Sequence, residues 1–226
     1  MPSVKIPKKS THVDMTPFVD VAFLILTFFI MATKFKPPEP VEVTTPNSVS
    51  TKDLEEKDAI MVTLDKEGKV YFSMFSEKDP SVFRSVIENM NTTRNLGLTA
   101  QEMANFSKTA AIGVPIAKLK SLLSVPPDEH KNIKMEGIPV DSANNELKIW
   151  IRDAINAFSG KKLNLLIKGD NAAKYPSFKN VLKAFTENDQ YKFNLITMPE
   201  DAPLGSELYN FRQKEQKNKS AEGSGK

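Results

Sequence analysis

The sequence predicts a single N-terminal transmembrane α-helix followed by a small α+β domain that carries a helical insertion, and three observations lead there. Residues Phe18 to Phe35, FVDVAFLILTFFIMATKF, form an almost unbroken apolar run. A polar, proline-rich stretch, KPPEPVEVTTPNS, follows directly. Beyond residue 57 the apolar residues switch between a period of two and a period near 3.6, the marks of strand and helix. The expected divisions are a tail over 1–15, a membrane helix over 16–35, an extended linker over 36–57, an α+β domain over 58–198 with an insertion at about 77–144, and a disordered tail over 199–226.

Composition narrows the function classes. At 226 residues the chain holds one domain of ordinary size plus extra segments. Lys and Arg number 31 against 28 Asp and Glu, and a net charge of +3 without a basic, aromatic-interleaved stripe gives no reason to expect nucleic acid as a partner. Cysteine is absent, which removes disulfides, zinc-thiolate sites and Cys nucleophiles. The two histidines, His12 and His130, have no second ligand at metal-binding spacing, so no metal is expected and both are placed at the surface.

The apolar run holds about 18 residues and at ~1.5 Å of rise spans roughly 28 Å, close to the ~30 Å hydrocarbon core of a bilayer. Thr16 followed by Pro17 suits an N-cap and a first helical position. A cleaved signal peptide fits less well: the run is long for such a segment, contains Asp20, and is followed by Lys34 and Lys36 instead of a small-x-small site. Lys5, Lys8 and Lys9 precede the helix, and the positive-inside count slightly favours a cytoplasmic N-terminus with the large C-terminal part exported.

Asp20 is the residue singled out. A carboxylate at the centre of a membrane helix costs about 2.5 to 3.5 kcal/mol, so one that persists usually faces a protein partner or water. Asp20 also lies only one turn into the helix, where the positive end of the helix dipole tolerates an anion, and both readings stand at this level. Thr16, Asp20 and Thr27 fall at i−4, i and i+7 and form a narrow polar stripe, which suits packing against other helices. Desolvation in such a place disfavours a charged carboxyl group and makes proton uptake and release feasible.

The stretch Asp14 to Phe35, DMTPFVDVAFLILTFFIMATKF, resembles the membrane signature of the ExbD/TolR family. Thr16, Pro17, Phe18, Asp20 and Val21 fall on its motif, and the resemblance implies that Asp20 is the proton-bearing aspartate, with Thr16, Pro17 and Thr27 supporting that helix face. Asp14 stands where the family commonly has asparagine. Val41 to Pro46, VEVTTP, resembles the family's short strand ending in proline, without the usual asparagine-leucine before it.

In the domain, Ala59–Leu64 and Lys69–Phe75 read as strands joined by the turn Asp65-Lys66-Glu67-Gly68, a β-hairpin. Leu147, Trp150, Ile151, Ala154, Ile155 and Phe158 repeat at three and four and mark an amphipathic helix stopped by Gly160, with Trp150 in the core. Leu163–Lys168 is a strand, a helix begins near Ser177, and Lys192–Met198 is a last strand, giving a small α+β sandwich. The Ile167-Lys168-Gly169-Asp170 step resembles the family's entry into its final helix, and Asp170 is expected as a turn residue. Within 77–144, Val82–Met90 and Ile116–Val125 have helical spacing, with Pro115 near a start and Pro126-Pro127 at a stop.

No GxxxxGK[ST], GxGxxG, GxSxG or HExxH pattern occurs, so an enzyme is not expected, nor a cofactor other than protons. The resemblance implies an ExbD-like subunit of a proton-driven motor, single-pass in a bacterial inner membrane with its domain in the periplasm. Its implied partners are a second copy of the chain, an ExbB/TolQ-like multi-span protein and a TonB-like or TolA-like energy recipient. The alternatives are a TolR-like envelope-integrity subunit and a non-energetic bitopic scaffold that binds cell wall or envelope proteins.

Overall fold

The computed structural model describes residues 14–32, 41–49, 57–77, 79–141, 143–200, 205–207 and 209–210, divided between two units, Met1–Pro38 and Glu39–Lys226. His12, the lysines near the N-terminus, most of the 1–15 tail, residues 33–40 and 50–56, and most of the expected disordered tail lie outside the described residues.

The first unit holds α1 (Thr16–Ala32), a helix of 17 residues. Its large apolar side chains are exposed on all sides, from 51% at Ile25 to 87% at Met31. Among the described residues no helix is long and apolar enough to cross a membrane. The last part of the expected span, residues 33–35, lies outside them.

The second unit runs β1 (Asn47–Ser48), β2 (Ala59–Leu64), β3 (Val70–Phe75), α2 (Ser81–Arg94), α3 (Ala100–Lys108), α4 (Leu119–Leu123), α5 (Leu147–Ala157), β4 (Asn164–Gly169), α6 (Tyr175–Thr186), β5 (Asn194–Ile196) and β6 (Met198–Pro199). Short 3-10 helices stand at Ile116–Lys118 and Pro127–Asn132. It is a mixed α/β domain around a four-stranded sheet of order β3-β2-β4-β5. The β2–β3 pair is antiparallel, whereas β2–β4 and β4–β5 are parallel.

The hairpin forms where the sequence places it. Asp65 Oδ1 accepts the amides of Glu67 and Lys69 at 2.8 Å each, and Gly68 takes φ +88°, a conformation side chains resist. Side chains alternate across each strand. Ile60, Val62 and Leu64, with Val70, Phe72 and Met74, join the core that α2, α5 and α6 also enter. Ala59, Met61 and Leu166 form a second small cluster with Phe75 and Ile196. Every residue of β2 is buried, so this strand is the centre of the sheet and reads as a continuous apolar run for that reason.

The insertion is built into this core. Val82, Val86, Ile87 and Met90 of α2 are buried in it, and Trp150 of α5 stacks on Phe106 of α3 with ring centroids 5.9 Å apart while lying 5.4 Å from Phe72 of β3. Helix α3 escaped the periodicity reading because its buried face mixes Phe106 with Glu102 and Asn105. Its start was legible as a capping box: Thr99 Oγ1 accepts the Glu102 amide at 3.2 Å, and Glu102 Oε2 accepts the Thr99 amide at 2.7 Å. After α3 the chain pairs with the outer edge of β3 through two 2.8 Å bonds between Phe72 and Ile112, and Ile138 donates to Val70 at 2.8 Å. This edge, which would otherwise offer bare backbone to any passing strand, is closed by the insertion.

Two expectations are corrected. His130 is buried, not at the surface: its Nε2 lies 3.0 Å from the carbonyl oxygens of both Leu122, in the last turn of α4, and Val125, just after it. The last strand is not continuous. β5 pairs with β4 for three residues, and then the chain leaves the sheet so that β6 runs parallel to β1. Pro199 cannot donate to a ladder, which suits it to that short edge pairing.

Gly113 packs against Tyr71 so closely that a Cβ would stand 2.4 Å from the ring. Gly113→Ala is therefore expected to lower stability by about 1–3 kcal/mol, read from the near-UV circular dichroism of Trp150 on heating, while Gly169→Ala, with nothing within 4 Å, leaves it unchanged. Asp79 ties the start of the insertion to the loop before β4, because Lys161 Nζ donates to its Oδ2 at 2.6 Å. Lys161, then the Ser81 hydroxyl and amide, hold the Asp79 carboxyl down to about 2 from an ordinary 3.8. A depressed carboxyl stabilises the fold above its ordinary value and loses that contribution as pH falls. Wild type should thus be the more stable protein at pH 6, with its advantage over Asp79→Asn fading between about pH 4 and pH 2 in the same melts.

Candidate functional site

All four residues picked from the membrane signature, Thr16, Pro17, Asp20 and Thr27, lie on α1, which fixes their spacing around the helix. Thr16 and Asp20 are one turn apart on one face, and Thr27 lies two turns beyond Asp20. Both threonine hydroxyls donate elsewhere: Thr16 to Asp14 Oδ1 at 2.6 Å, and Thr27 to the Leu24 carbonyl at 2.9 Å. Asp20 is exposed.

The N-terminus of the helix differs from the expected cap. Phe18 and Val19 both donate to the Met15 carbonyl at 3.1 Å, so Met15 supplies the first acceptor and Thr16 already belongs to the helix, followed by Pro17. Asp14 does the capping, its Oδ1 accepting the Thr16 amide at 3.0 Å as well as the hydroxyl. These two bonds, the hydroxyl first, hold the Asp14 carboxyl below the usual range. The sequence signal for this was an aspartate two residues before a threonine, the spacing at which an Asx side chain turns back on its own backbone.

The second candidate site lies at the carboxyl ends of β2 and β4. Asp170, expected only as a turn residue, is a clamp. Its Oδ2 accepts the Thr44 amide at 3.0 Å and its Oδ1 accepts the Ala172 amide at 2.8 Å, while its own amide donates to Leu64 at 2.9 Å. Asn171 donates back to the Thr44 carbonyl at 2.8 Å, and Thr45 is buried. Residues 41–49, expected within an extended linker, are thus tied to the domain. The strand expected at Val41–Pro46 is displaced to β1, just past Pro46, where Met198 donates to the Pro46 carbonyl at 3.0 Å.

Beside this clamp lies a cleft of about 250 Å³ lined by Pro46, Leu64, Asp170, Tyr175, Phe178 and Leu195. Its walls are largely apolar, and Tyr175 at its edge is 69% exposed. The Asp170 carboxylate beside it accepts two backbone amides, one on each oxygen. Among the described residues no group of three or more His, Cys, Asp or Glu side chains could hold a metal ion.

The family described as Biopolymer transport protein ExbD/TolR matches residues 7–200. The chain belongs to the ExbD/TolR family. The match takes in α1, the clamp, the insertion and β6. Over 161 residues the chain is 22% identical to the Biopolymer transport protein ExbD of Aquifex aeolicus (strain VF5), covering 71% of this chain and 92% of that protein. No solved structure matches it.

Removing the clamp should release the 41–49 segment without unfolding the sheet. Asp170→Ala is expected to raise amide exchange at Thr44 and Met198 by at least about ten-fold while the amides of β2 keep their protection; unchanged exchange at Thr44 would mean that burial of Thr45 alone holds the segment.

Proposed function

We propose that this chain is the ExbD-like subunit of a proton-driven motor in a bacterial inner membrane, with Asp20 as the group that takes up and releases the proton. The observation that carries the reading is a lone carboxylate in α1, a helix otherwise built of apolar side chains apart from two threonines, in a chain of the ExbD/TolR family. Such a group is retained in a membrane when it faces a partner or a water path and has work to do. In this reading the apolar segment that contains α1 crosses the bilayer once, the N-terminus is cytoplasmic, and the α/β domain stands in the periplasm. The proton-motive force supplies ~2.3 kcal/mol per charge per 100 mV.

The partners that follow are a second copy of the chain and an ExbB/TolQ-like multi-span protein around the paired helices. A TonB-like protein that energises outer-membrane transport receives the work, or a TolA-like one in envelope maintenance. No bond-making catalysis and no cofactor besides the proton enter this reading.

The test is co-purification from membranes combined with energised uptake in the same cells. Asp20→Asn is expected to keep membrane insertion and the multi-span partner while abolishing uptake, and Asp20→Glu to retain part of it. Normal uptake in Asp20→Asn, without a multi-span partner, would replace the motor by a scaffold that uses Asp20 for helix pairing.

A further inference from the structure

The stripe on α1 contains two threonines, and they are not equivalent. Side chains on a helix lean toward its N-terminus, so the carboxyl group of Asp20 lies over the turn that carries Thr16, whereas Thr27 leans over Leu24 and spends its hydroxyl proton there. Thr16 is thus the threonine one turn before Asp20 on the same face of α1. A hydroxyl has one proton to give and lone pairs to accept with. The Thr16 proton is committed to Asp14 Oδ1 at 2.6 Å, and the same oxygen receives the Thr16 amide at 3.0 Å, so two bonds fix the hydroxyl's direction.

We infer that Asp14 is a positioning residue for Asp20: by taking the Thr16 hydroxyl proton it leaves Thr16 Oγ1 as an acceptor on the Asp20 face of α1. Only one of the two states of Asp20 can use that arrangement. A protonated carboxyl group has an O–H to donate and finds an acceptor waiting, while a carboxylate, which only accepts, finds the Thr16 proton already spent. Asp14 therefore acts on the proton-loaded state through Thr16 without carrying the proton itself. Without Asp14 the hydroxyl is released to turn and donate to the carboxylate, and the preference is lost. The role requires an oxygen acceptor at position 14, which an asparagine amide also supplies.

This inference rests on the proposed proton-carrying role of Asp20, and the experiment separates the two. Proton flux is measured with a pH-sensitive dye in proteoliposomes that hold the chain with its co-purified multi-span partner, for Asp14→Ala, Asp14→Asn, Thr16→Val, Thr16→Ser, the double variant Asp14→Ala/Thr16→Val, and Asp20→Asn. Asp14→Ala and Thr16→Val are each expected to lose about five-fold, the effect of one net hydrogen bond. The conservative variants Asp14→Asn and Thr16→Ser restore most of that loss. Because Asp14 works through Thr16, the double variant is no slower than Thr16→Val alone.

Several results overturn it. A merely capping role for Asp14 would leave Thr16→Val at wild-type flux, since the Thr16 amide is still present. Asp14→Asn as slow as Asp14→Ala would make charge, not hydroxyl orientation, the cause, and multiplying losses in the double variant would make the two residues independent. Each of these sinks the inference alone if Asp20→Asn is inactive. Flux that survives Asp20→Asn removes the proton-carrier reading and the inference with it.

Discussion

Trp150 is the side chain around which the domain is assembled. It comes from α5, yet its ring packs against residues from elements far away in sequence, Phe72 on β3 and Phe106 on α3. A fully buried indole offers a large apolar area and aromatic neighbours at favourable offsets, which outweighs the cost of a buried N–H that has no hydrogen-bond partner among the described residues. One consequence is architectural. The segment between hairpin and α5 cannot be an appendage, because Phe106 and the buried face of α2 complete the same core.

That arrangement also settles the fate of the sheet's edges. β3 would present a bare ladder on its outer side, but the backbone at Ile112 and Ile138 pairs with Phe72 and with the Val70 carbonyl. Glycine at 113 is needed there because Tyr71 lies against the returning chain, and Tyr71 is itself held by burial and by Asp65, which push its hydroxyl up to about 12. Along β4 the parallel register brings Gly169 beside Leu64, which places Asp170 where it can grip the backbone at Thr44. Turn chemistry at the end of one strand thereby fixes a segment more than a hundred residues earlier.

The first unit follows a different logic. Nothing within α1 hides its apolar surface, and its few polar groups satisfy one another locally, Asp14 with Thr16 and Thr27 with its own backbone. Asp20 stands apart from those local pairs, and it is the residue on which the proposed motor function depends. The family match supports the transport role at the level of the whole chain, while the roles of the individual side chains follow from hydrogen-bond chemistry.

What the sequence determined by itself was whatever a local pattern encodes. The Asp65–Gly68 turn, the alternation of β2 and β3, the three-and-four spacing of α5 and the apolar run of α1 with Asp20 inside it all follow from neighbours in the chain. Thr99 and Glu102 also announced α3 locally, though its mixed buried face concealed it. Tertiary structure alone decided the rest: that His130 is buried, that the insertion closes the β3 edge, that the last strand divides between β4 and β1, and that Asp170 clamps Thr44. Each of these depends on a hydrogen bond or contact between residues whose separation carries no periodic signal, so only the packed chain could bring the partners together.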